Sequence, residues 1–138
     1  MASTFQLEIV TPSRLLMKDA AEEAQIPALG GYLGILPGHA PLITELSVGA
    51  ITYKASGAEH TLSVAWGFAE VLQGKVTILA EVAERPQEID IERAQKARDR
   101  AEQRLKSNDM QVDYTRAEDA LQRAETRLRV AKDVAKEQ

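Results

Sequence analysis

Apolar and polar residues alternate in short runs along the first part of the chain. In the segment TFQLEIV, Phe5, Leu7 and Ile9 fall on one face and the residues between them on the other. The segments ITYK, TLSVAW, FAEVL and KVTIL repeat this alternation, with ASGAE and QGK as turns. A period of two residues is that of a half-buried strand. The first part therefore predicts an antiparallel β-sandwich or barrel of about eight to ten strands.

The second part of the chain repeats its apolar residues with a helical period. The later run comprises Tyr114, Ala117, Leu121, Ala124, Leu128, Ala131 and Ala135, and the earlier run comprises Ala94, Ala97, Ala101 and Leu105. Steps of three and four residues form a heptad seam. Between the runs, SNDMQVD contains good turn formers, and Asp113 can cap the second helix. The pattern predicts an antiparallel α-helical hairpin.

The alanine-rich seam predicts a hairpin of marginal stability. Alanine lets helices approach closely, but it buries much less apolar area than leucine, whose burial is worth about 1.5–3 kcal/mol. We therefore expect the hairpin to depend partly on the sandwich or on a ligand. If the hairpin opened into one arm, about 40 residues at 1.5 Å each would reach about 60 Å. These properties suit a conformational switch.

The boundary between the two parts lies in the segment ERPQEIDIERA, Glu84 to Ala94. All eight Gly and all five Pro lie at or before position 86. Residues 1–86 carry five Lys/Arg and nine Asp/Glu, whereas residues 87–138 carry twelve of each, as solvated helix faces do. Pro86 ends the sheet pattern and Asp90 can cap the first helix. The sequence thus predicts an α+β chain, with a sandwich over 1–86 and a hairpin over 87–138.

Composition and charge exclude several classes of protein. A net charge of −4 argues against nucleic-acid binding, and the absence of Cys excludes disulfides and thiolate metal sites. The N-terminal residues lack the basic start and apolar run of a signal peptide. No apolar run approaches the roughly 18 residues of a membrane span. We expect a cytosol-like compartment and no direct membrane insertion, which leaves attachment to a membrane complex through a partner open.

No arrangement of residues points to catalysis. The phosphate-binding pattern GxxxxGK[ST] and the nucleophile pattern GxSxG are both absent. His39 and His60 have no second ligand patterned beside them, so a metal site is not expected and His39 is better explained as a hydrogen-bonding loop residue. A small hydrolase using His39 with Glu45 or Glu70 is the weakest hypothesis. The segment GGYLGILPGHAPLITEL predicts tight turns, or a rigid apolar loop for a partner.

Basic residues form rows on the two predicted helices. Arg93 and Arg100 are seven positions apart, and Arg116, Arg123 and Arg127 are spaced by seven and four, so each set shares one helix face. Closing the hairpin can bring the rows together. An unpaired basic cluster favours a polyphosphate or an acidic partner segment. The simpler alternative is solvated ion pairs along each helix, each worth about a few tenths of a kcal/mol.

Several segments occur in an order that is specific to one family. They are LGILPGHAPL, then GFAEVLQGKVTILAE followed by IDIERAQKARDRAEQRL, then DYTRAEDALQRAETRLRV. Through these segments the chain resembles the epsilon subunit of F-type ATP synthases over essentially its whole length. The resemblance implies an N-terminal β-sandwich and a C-terminal helical hairpin. It also implies a place in the rotating central stalk, with no catalysis by the subunit itself.

The resemblance implies protein partners as well. The sandwich would contact the gamma subunit and the membrane c-ring through a loop that includes Gly31, Tyr32, Leu33 and His39. Relatives commonly have an acidic or amide residue where this chain has Tyr32, so an apolar or hydroxyl contact is expected here. The C-terminal helices would extend among the alpha and beta subunits and inhibit ATP hydrolysis. The basic residues assigned to that contact are Arg116, Arg123, Arg127, Arg129 and Lys132.

Some bacterial relatives bind ATP in the folded hairpin through the signature [I/L]-D-x-x-R-A. The matching residues here are Ile89, Asp90, Arg93 and Ala94, and the other positions of that site match Glu84, Arg100, Arg123 and Arg127. ATP, alone or with Mg²⁺, is thus expected as a regulatory ligand, with no required cofactor. We expect the subunit to lie peripherally at the cytoplasmic face of a bacterial plasma membrane. The alternative is an independent nucleotide-sensing coiled-coil adaptor.

Overall fold

The chain divides into two compact units. The computed structural model describes residues 3–137, and the side chains of residues 3–132. One unit ends at Glu84 and the second begins at Arg85. Within the described residues, all strands lie in the first unit and all helices lie in the second. The predicted α+β class is therefore confirmed.

Seven strands form the sheet of the first unit within residues 3–84. They are β1 (Phe5–Thr11), β2 (Arg14–Ala21), β3 (Glu23–Ala28), β4 (Gly31–Ile35), β5 (Leu42–Ala55), β6 (Ala58–Leu72) and β7 (Lys75–Glu84). Their order is β2-β1-β7-β6-β5-β3-β4. Each pairing is antiparallel except that of β1 with β7, which is parallel. Because β2 and β5 contact each other across this order, the sheet folds over itself into two layers.

The core of the sandwich is built from one face of each strand. Phe5, Leu7 and Ile9 of β1 are buried, as their alternation predicts. Most of the other large core residues are aliphatic, and the fully buried ones include Ile26, Ile35, Leu46, Ile51, Val64, Val71, Val76 and Ile78. Burial of each such side chain is worth about 1.5–3 kcal/mol. The first unit therefore has a hydrophobic core made of its own strands.

The strands are fewer than predicted because β5 and β6 are long. β6 has 15 residues and contains both TLSVAW and FAEVL, which their alternation assigns to separate strands. At the junction the pairing skips Trp66, and Trp66 and Gly67 have φ of 55° and 123°. A Cβ on Gly67 would lie 1.9 Å from the carbonyl oxygen of Leu79. Glycine thus lets β6 continue through an irregularity. Because two predicted strands are one strand here, the prediction of eight to ten strands was wrong.

Two helices joined by a short connection form the second unit. A 3-10 helix (Pro86–Glu88) precedes α1 (Ile91–Lys106), and α2 (Tyr114–Glu137) follows the connection. The two α-helices pack against each other, and α2 also contacts the 3-10 helix. The predicted antiparallel hairpin is confirmed.

Side chains of the connection and of the residue before α1 secure the helix ends. The Asp90 carboxylate accepts a hydrogen bond from the backbone N–H of Arg93 at 3.0 Å, and Asp113 accepts one from Arg116 at 3.1 Å. Both predicted caps are therefore present. The hydroxyl of Tyr114 donates to the Ser107 carbonyl, which ties the start of α2 to the end of α1.

The predicted seam is largely the buried surface of the hairpin. Its buried members are Ala94, Ala101, Ala117, Ala124, Leu128 and Ala131, whereas Ala97, Leu105 and Leu121 are half-buried. Tyr114 is 41% exposed, so its place in the seam was wrong, and the side chain of Ala135 lies outside the described residues. Thr126 and Val130 are buried although they lie on the opposite side of α2. The buried surface of α2 is therefore wider than one heptad seam.

Candidate functional site

Two rows of arginine lie on the same side of the hairpin. In α1, Arg93 and Arg100 each directly precede a buried alanine of the seam. In α2, Arg116, Arg123 and Arg127 each directly precede a buried residue of the seam. One residue turns about 100° around a helix. Because the helices run in opposite directions, this shared offset places both rows on one side of the hairpin.

The rows also match in height along the hairpin. Arg93 precedes Lys106, the last residue of α1, by 13 positions, and Arg127 follows Tyr114, the first residue of α2, by 13 positions. Both therefore lie about 20 Å from the connected ends of the helices, at 1.5 Å per residue. Arg100 is six positions from its end, nearer to the connection. The hairpin thus has a basic side on which arginines of one helix face those of the other.

The arginines of this basic side differ in their surroundings. Arg93 and Arg100 are exposed, and their guanidinium groups have no hydrogen bond or ion pair with any side chain that the structure describes. Arg123 and Arg127 are half-buried, and each has a partner. Charge–charge interactions strengthen as solvent is removed. An anion bound on this side would meet exposed guanidiniums of α1 and more enclosed ones of α2.

The residues of the [I/L]-D-x-x-R-A signature have structural roles at the start of α1. Ile89 and Ala94 are buried, at 7% and 0% exposure. The Asp90 side chain is occupied in part by the N-cap, and the Asp90 backbone carbonyl accepts from the N–H of Ala94 at 3.0 Å. These contacts place Arg93 within the first turn of α1. The signature therefore also shapes the helix start, independently of any ligand.

Glu84 belongs to the first unit. It is the last residue of β7, is half-buried, and pairs in register with Ser63 of β6. Its side chain or backbone has a partner within the described residues. Of the eight residues assigned to the ATP site, the second unit contains the other seven.

The basic residues assigned to inhibition do not form one cluster. Arg116, Arg123 and Arg127 share the basic side described above. Arg129 and Lys132 are exposed, and helical rotation places both on the other side of the seam. The five residues therefore occupy two separate surfaces of α2.

The glycine-rich segment after β3 forms an edge strand and a turn. Gly31 and Tyr32 are exposed and Leu33 is half-buried, all on β4 at the edge of the sheet. His39 lies in the following turn, and its Nδ1 donates to the carbonyl of Ala40 at 2.7 Å, because a carbonyl only accepts. The role of His39 as a hydrogen-bonding loop residue is therefore confirmed.

An apolar row on the outer sheet surface was missed by the sequence reasoning. Leu15, Val10, Leu79 and Phe68 are paired in succession across β2, β1, β7 and β6. Leu15, Leu79 and Phe68 are each about half exposed, at 56%, 49% and 51%. Val10, Leu79 and Phe68 also line a groove of about 390 Å³. The sequence does contain one indication of this row. Some apolar residues, such as Phe68 in FAEVL, occupy positions at which the alternation calls for a polar residue. Contiguous exposed apolar surface is typical of protein–protein interaction sites, so this row is a candidate partner surface.

Two kinds of feature are absent from the described residues. No group of three or more His, Asp or Glu side chains is placed to hold a metal ion. None of the helices in that part of the chain has both the length and the apolar character needed to cross a membrane.

Comparison with known proteins identifies both units. A family described as the beta-sandwich domain of the ATP synthase Delta/Epsilon chain matches residues 4–86, and the long alpha-helix domain of the same chain matches residues 87–132. An ATP synthase epsilon chain from Koribacter versatilis (strain Ellin345) is 66% identical over 108 residues, covering 78% of this chain and 76% of that protein. One from Nitratidesulfovibrio vulgaris (strain DP4) is 49% identical over 105 residues, covering 76% and 78%.

A solved structure extends the likeness to the whole fold. A chain in the Euglena gracilis mitochondrial ATP synthase, in an OSCP/F1/c-ring assembly, superimposes with a TM-score of 0.79 at 25% identity. The match covers 98% of this chain and 82% of that one. The strands of the sandwich and the helices of the hairpin therefore have counterparts in that chain over nearly the full length of this one.

Proposed function

The chain belongs to the ATP synthase Delta/Epsilon family as an epsilon chain, and we propose that it is a central-stalk rotor subunit of a proton-translocating F-type ATP synthase. Membership makes it a non-catalytic subunit of the complex, so the hydrolase hypothesis is dropped. The observation that carries the proposal is the ordered match of both family domains over residues 4–132. In this role the subunit couples rotation between the membrane ring and the catalytic head.

Purification of the native complex tests this proposal. The subunit should co-purify with the alpha, beta and gamma subunits and the c-ring, in amounts equal to gamma. The complex would hold it peripherally at the cytoplasmic face of a bacterial plasma membrane. An independent nucleotide-sensing adaptor would instead purify without those subunits.

The sandwich offers two surfaces to these partners. We assign the edge segment with Gly31, Tyr32, Leu33 and His39 to the c-ring and gamma contact, since β4 is an edge strand with exposed residues. The apolar row of Leu15, Val10, Leu79 and Phe68 supports a second contact, because exposed apolar surface is typical of protein–protein interaction sites. Leu79→Lys should prevent co-purification while leaving the fold intact, because Leu79 is half exposed.

The hairpin has the charge arrangement of a regulatory ATP site. We propose that ATP, alone or with Mg²⁺, binds the basic side through Arg93, Arg100, Arg123 and Arg127, near the signature residues Ile89, Asp90 and Ala94. Glu84 is included on the resemblance alone. Phosphates would relieve the repulsion between facing arginines and so favour the closed hairpin. At ten times its Kd, ATP would stabilise that form by about 1.4 kcal/mol.

Titration calorimetry and thermal unfolding of the isolated subunit test the ATP site. ATP should raise the Tm more than ADP does, in the presence of Mg²⁺ or of EDTA. Arg93→Ala or Arg127→Ala should abolish the shift. Arg129→Ala is the matched control, because Arg129 is on the same helix but on the other side of the seam. Absence of both heat and thermal shift at several millimolar ATP would refute the site.

We also propose that the extended hairpin inhibits ATP hydrolysis, and that the basic residues of α2 do so by contacting the alpha and beta subunits. The residues are Arg116, Arg123, Arg127, Arg129 and Lys132. Because they occupy two sides of α2, alanine replacement of the first three and of the last two can be compared in the assembled complex. If replacing one set relieves the inhibition of ATP hydrolysis, that set lies on the contacting side. Equal inhibition in both variants would assign the effect to the bulk of the helix.

A further inference from the structure

The pairing of β3 with β5 is interrupted in its middle. The two strands pair at Gln25 with Thr52 and again at Ala28 with Leu46. Between these pairs β3 has two residues and β5 has five. One of the two β3 residues is Pro27, which has no N–H to donate. The regular ladder between β3 and β5 is therefore interrupted over residues 47–51 of β5.

The side chain of Tyr32 reaches this gap from the neighbouring edge strand. Tyr32 belongs to β4 and is paired with Pro27 of β3. Its hydroxyl accepts a hydrogen bond from the backbone N–H of Ala50 in β5, at 3.1 Å. The tyrosine thus crosses β3 and links β4 directly to β5, which is not its neighbour in the sheet.

Gly49 provides the space in which this side chain lies. A Cβ added to Gly49 would be 2.7 Å from the Tyr32 hydroxyl oxygen and 2.8 Å from the Cβ of Pro27. Real Cβ atoms essentially never approach this closely, so a larger residue would displace the tyrosine or the proline. The φ of Gly49 is not in the left-handed region, so close packing and not backbone conformation calls for glycine here.

We propose that Tyr32 is a positioning residue that anchors the edge strand β4, and with it the segment that begins the partner-facing loop, to β5. Such an anchor is needed because β4 has one neighbour in the sheet and two of its five residues are glycine. The hydroxyl is bonded to β5 while 57% of the residue stays exposed. Tyr32 therefore presents an apolar ring to a partner and keeps its polar group for the sheet. This last step rests on the proposed function.

Amide hydrogen exchange of the full chain, resolved by NMR, tests the anchor without any partner. In Tyr32→Phe the Ala50 amide should exchange about five- to tenfold faster, because its hydrogen bond is lost while the ring remains. The amides of Leu33 and Ile35 in β4 should exchange faster too. Gly49→Ala should produce the same pattern by displacing the ring. Tyr114→Phe is the matched control, since it removes a phenol hydroxyl from the second unit and should leave Ala50 unchanged.

Two exchange results would overturn the anchor. One is unchanged Ala50 exchange in both Tyr32→Phe and Gly49→Ala. The other is faster exchange at Ala50 alone, with Leu33 and Ile35 unaffected, since the hydroxyl would then serve β5 and not hold β4.

Binding of the same variants to ATP synthase depleted of this subunit tests the partner step separately. Tyr32→Phe should weaken binding about threefold or more, because the segment is less well held. Equal binding of the variant and the wild type would overturn the positioning of a partner surface. If the wild type itself does not bind while the exchange results hold, the proposed function fails and the anchor stands.

Discussion

Replacing Gly67 by alanine should severely destabilise the sandwich. At φ of +123° a residue with a side chain is strained by about 1–3 kcal/mol. Its Cβ would also lie 1.9 Å from the carbonyl oxygen of Leu79, a backbone atom of the paired strand. Relief of that clash requires β6 and β7 to separate locally, which costs one or two hydrogen bonds of about 1 kcal/mol each. We expect a total loss of about 2–5 kcal/mol in the free energy of unfolding.

Urea and thermal unfolding of the full chain measure this loss. Trp66 is the single tryptophan and lies in the first unit, so its fluorescence reports the sandwich, and circular dichroism checks that both units remain folded in water. For a unit of this size the loss corresponds to a fall in Tm of at least about 8 °C.

Gly57→Ala and Gly74→Ala are the matched controls. Both positions have positive φ, 76° and 83°, but no atom within 4 Å of an added Cβ. Each of these substitutions should lower the free energy of unfolding only by the strain of a side chain at positive φ, about 1–2 kcal/mol. If Gly67→Ala is no more destabilising than these two, the clash with Leu79 is not what requires glycine and the reasoning is refuted.

The other predictions concern the hairpin and its independence from the sandwich. A chain ending at Arg85 should still unfold cooperatively by fluorescence, since the core residues of the sandwich precede it; a molten fragment would contradict this. Asp90→Ala should destabilise the helices by about 1 kcal/mol through loss of the cap, whereas Asp90→Asn should retain most of the stability that the cap provides. Thermal unfolding followed by helical ellipticity measures both effects. Tyr114→Phe should lower the free energy of unfolding of the hairpin by about 1 kcal/mol and so lower its melting temperature. An unchanged melting transition would show that the hydrogen bond to Ser107 contributes nothing to stability.

The basic side of the hairpin was only partly predictable. The spacing of Arg93 with Arg100, and of Arg116 with Arg123 and Arg127, was enough to place each set on one helix face, because helical rotation depends on chain position alone. That both sets share one side of the hairpin follows from the buried seam and the antiparallel pairing. The ATP assignment itself remains a proposal.

The apolar row and the role of Tyr32 could not be predicted from local patterns. Leu79 and Phe68 lie eleven positions apart, and they become neighbours only through the register of β6 with β7. Likewise, nothing in GGYLG indicates that the hydroxyl of Tyr32 meets Ala50, because that contact depends on a gap between two other strands. Alternation identifies which residues share a face of one strand, but not which strands adjoin.

The sequence by itself determined the two periodicities, the helix caps at Asp90 and Asp113, and the family, because each of these depends on residues close together in the chain or on a specific order of segments. Tertiary structure alone decided that β6 continues through Trp66 and Gly67, and that β1 pairs in parallel with β7. The physical reason is that strand pairing joins backbone groups distant in sequence. Whether an irregular residue ends a strand or bends it therefore depends on the neighbouring strand, as the approach of Gly67 to Leu79 illustrates.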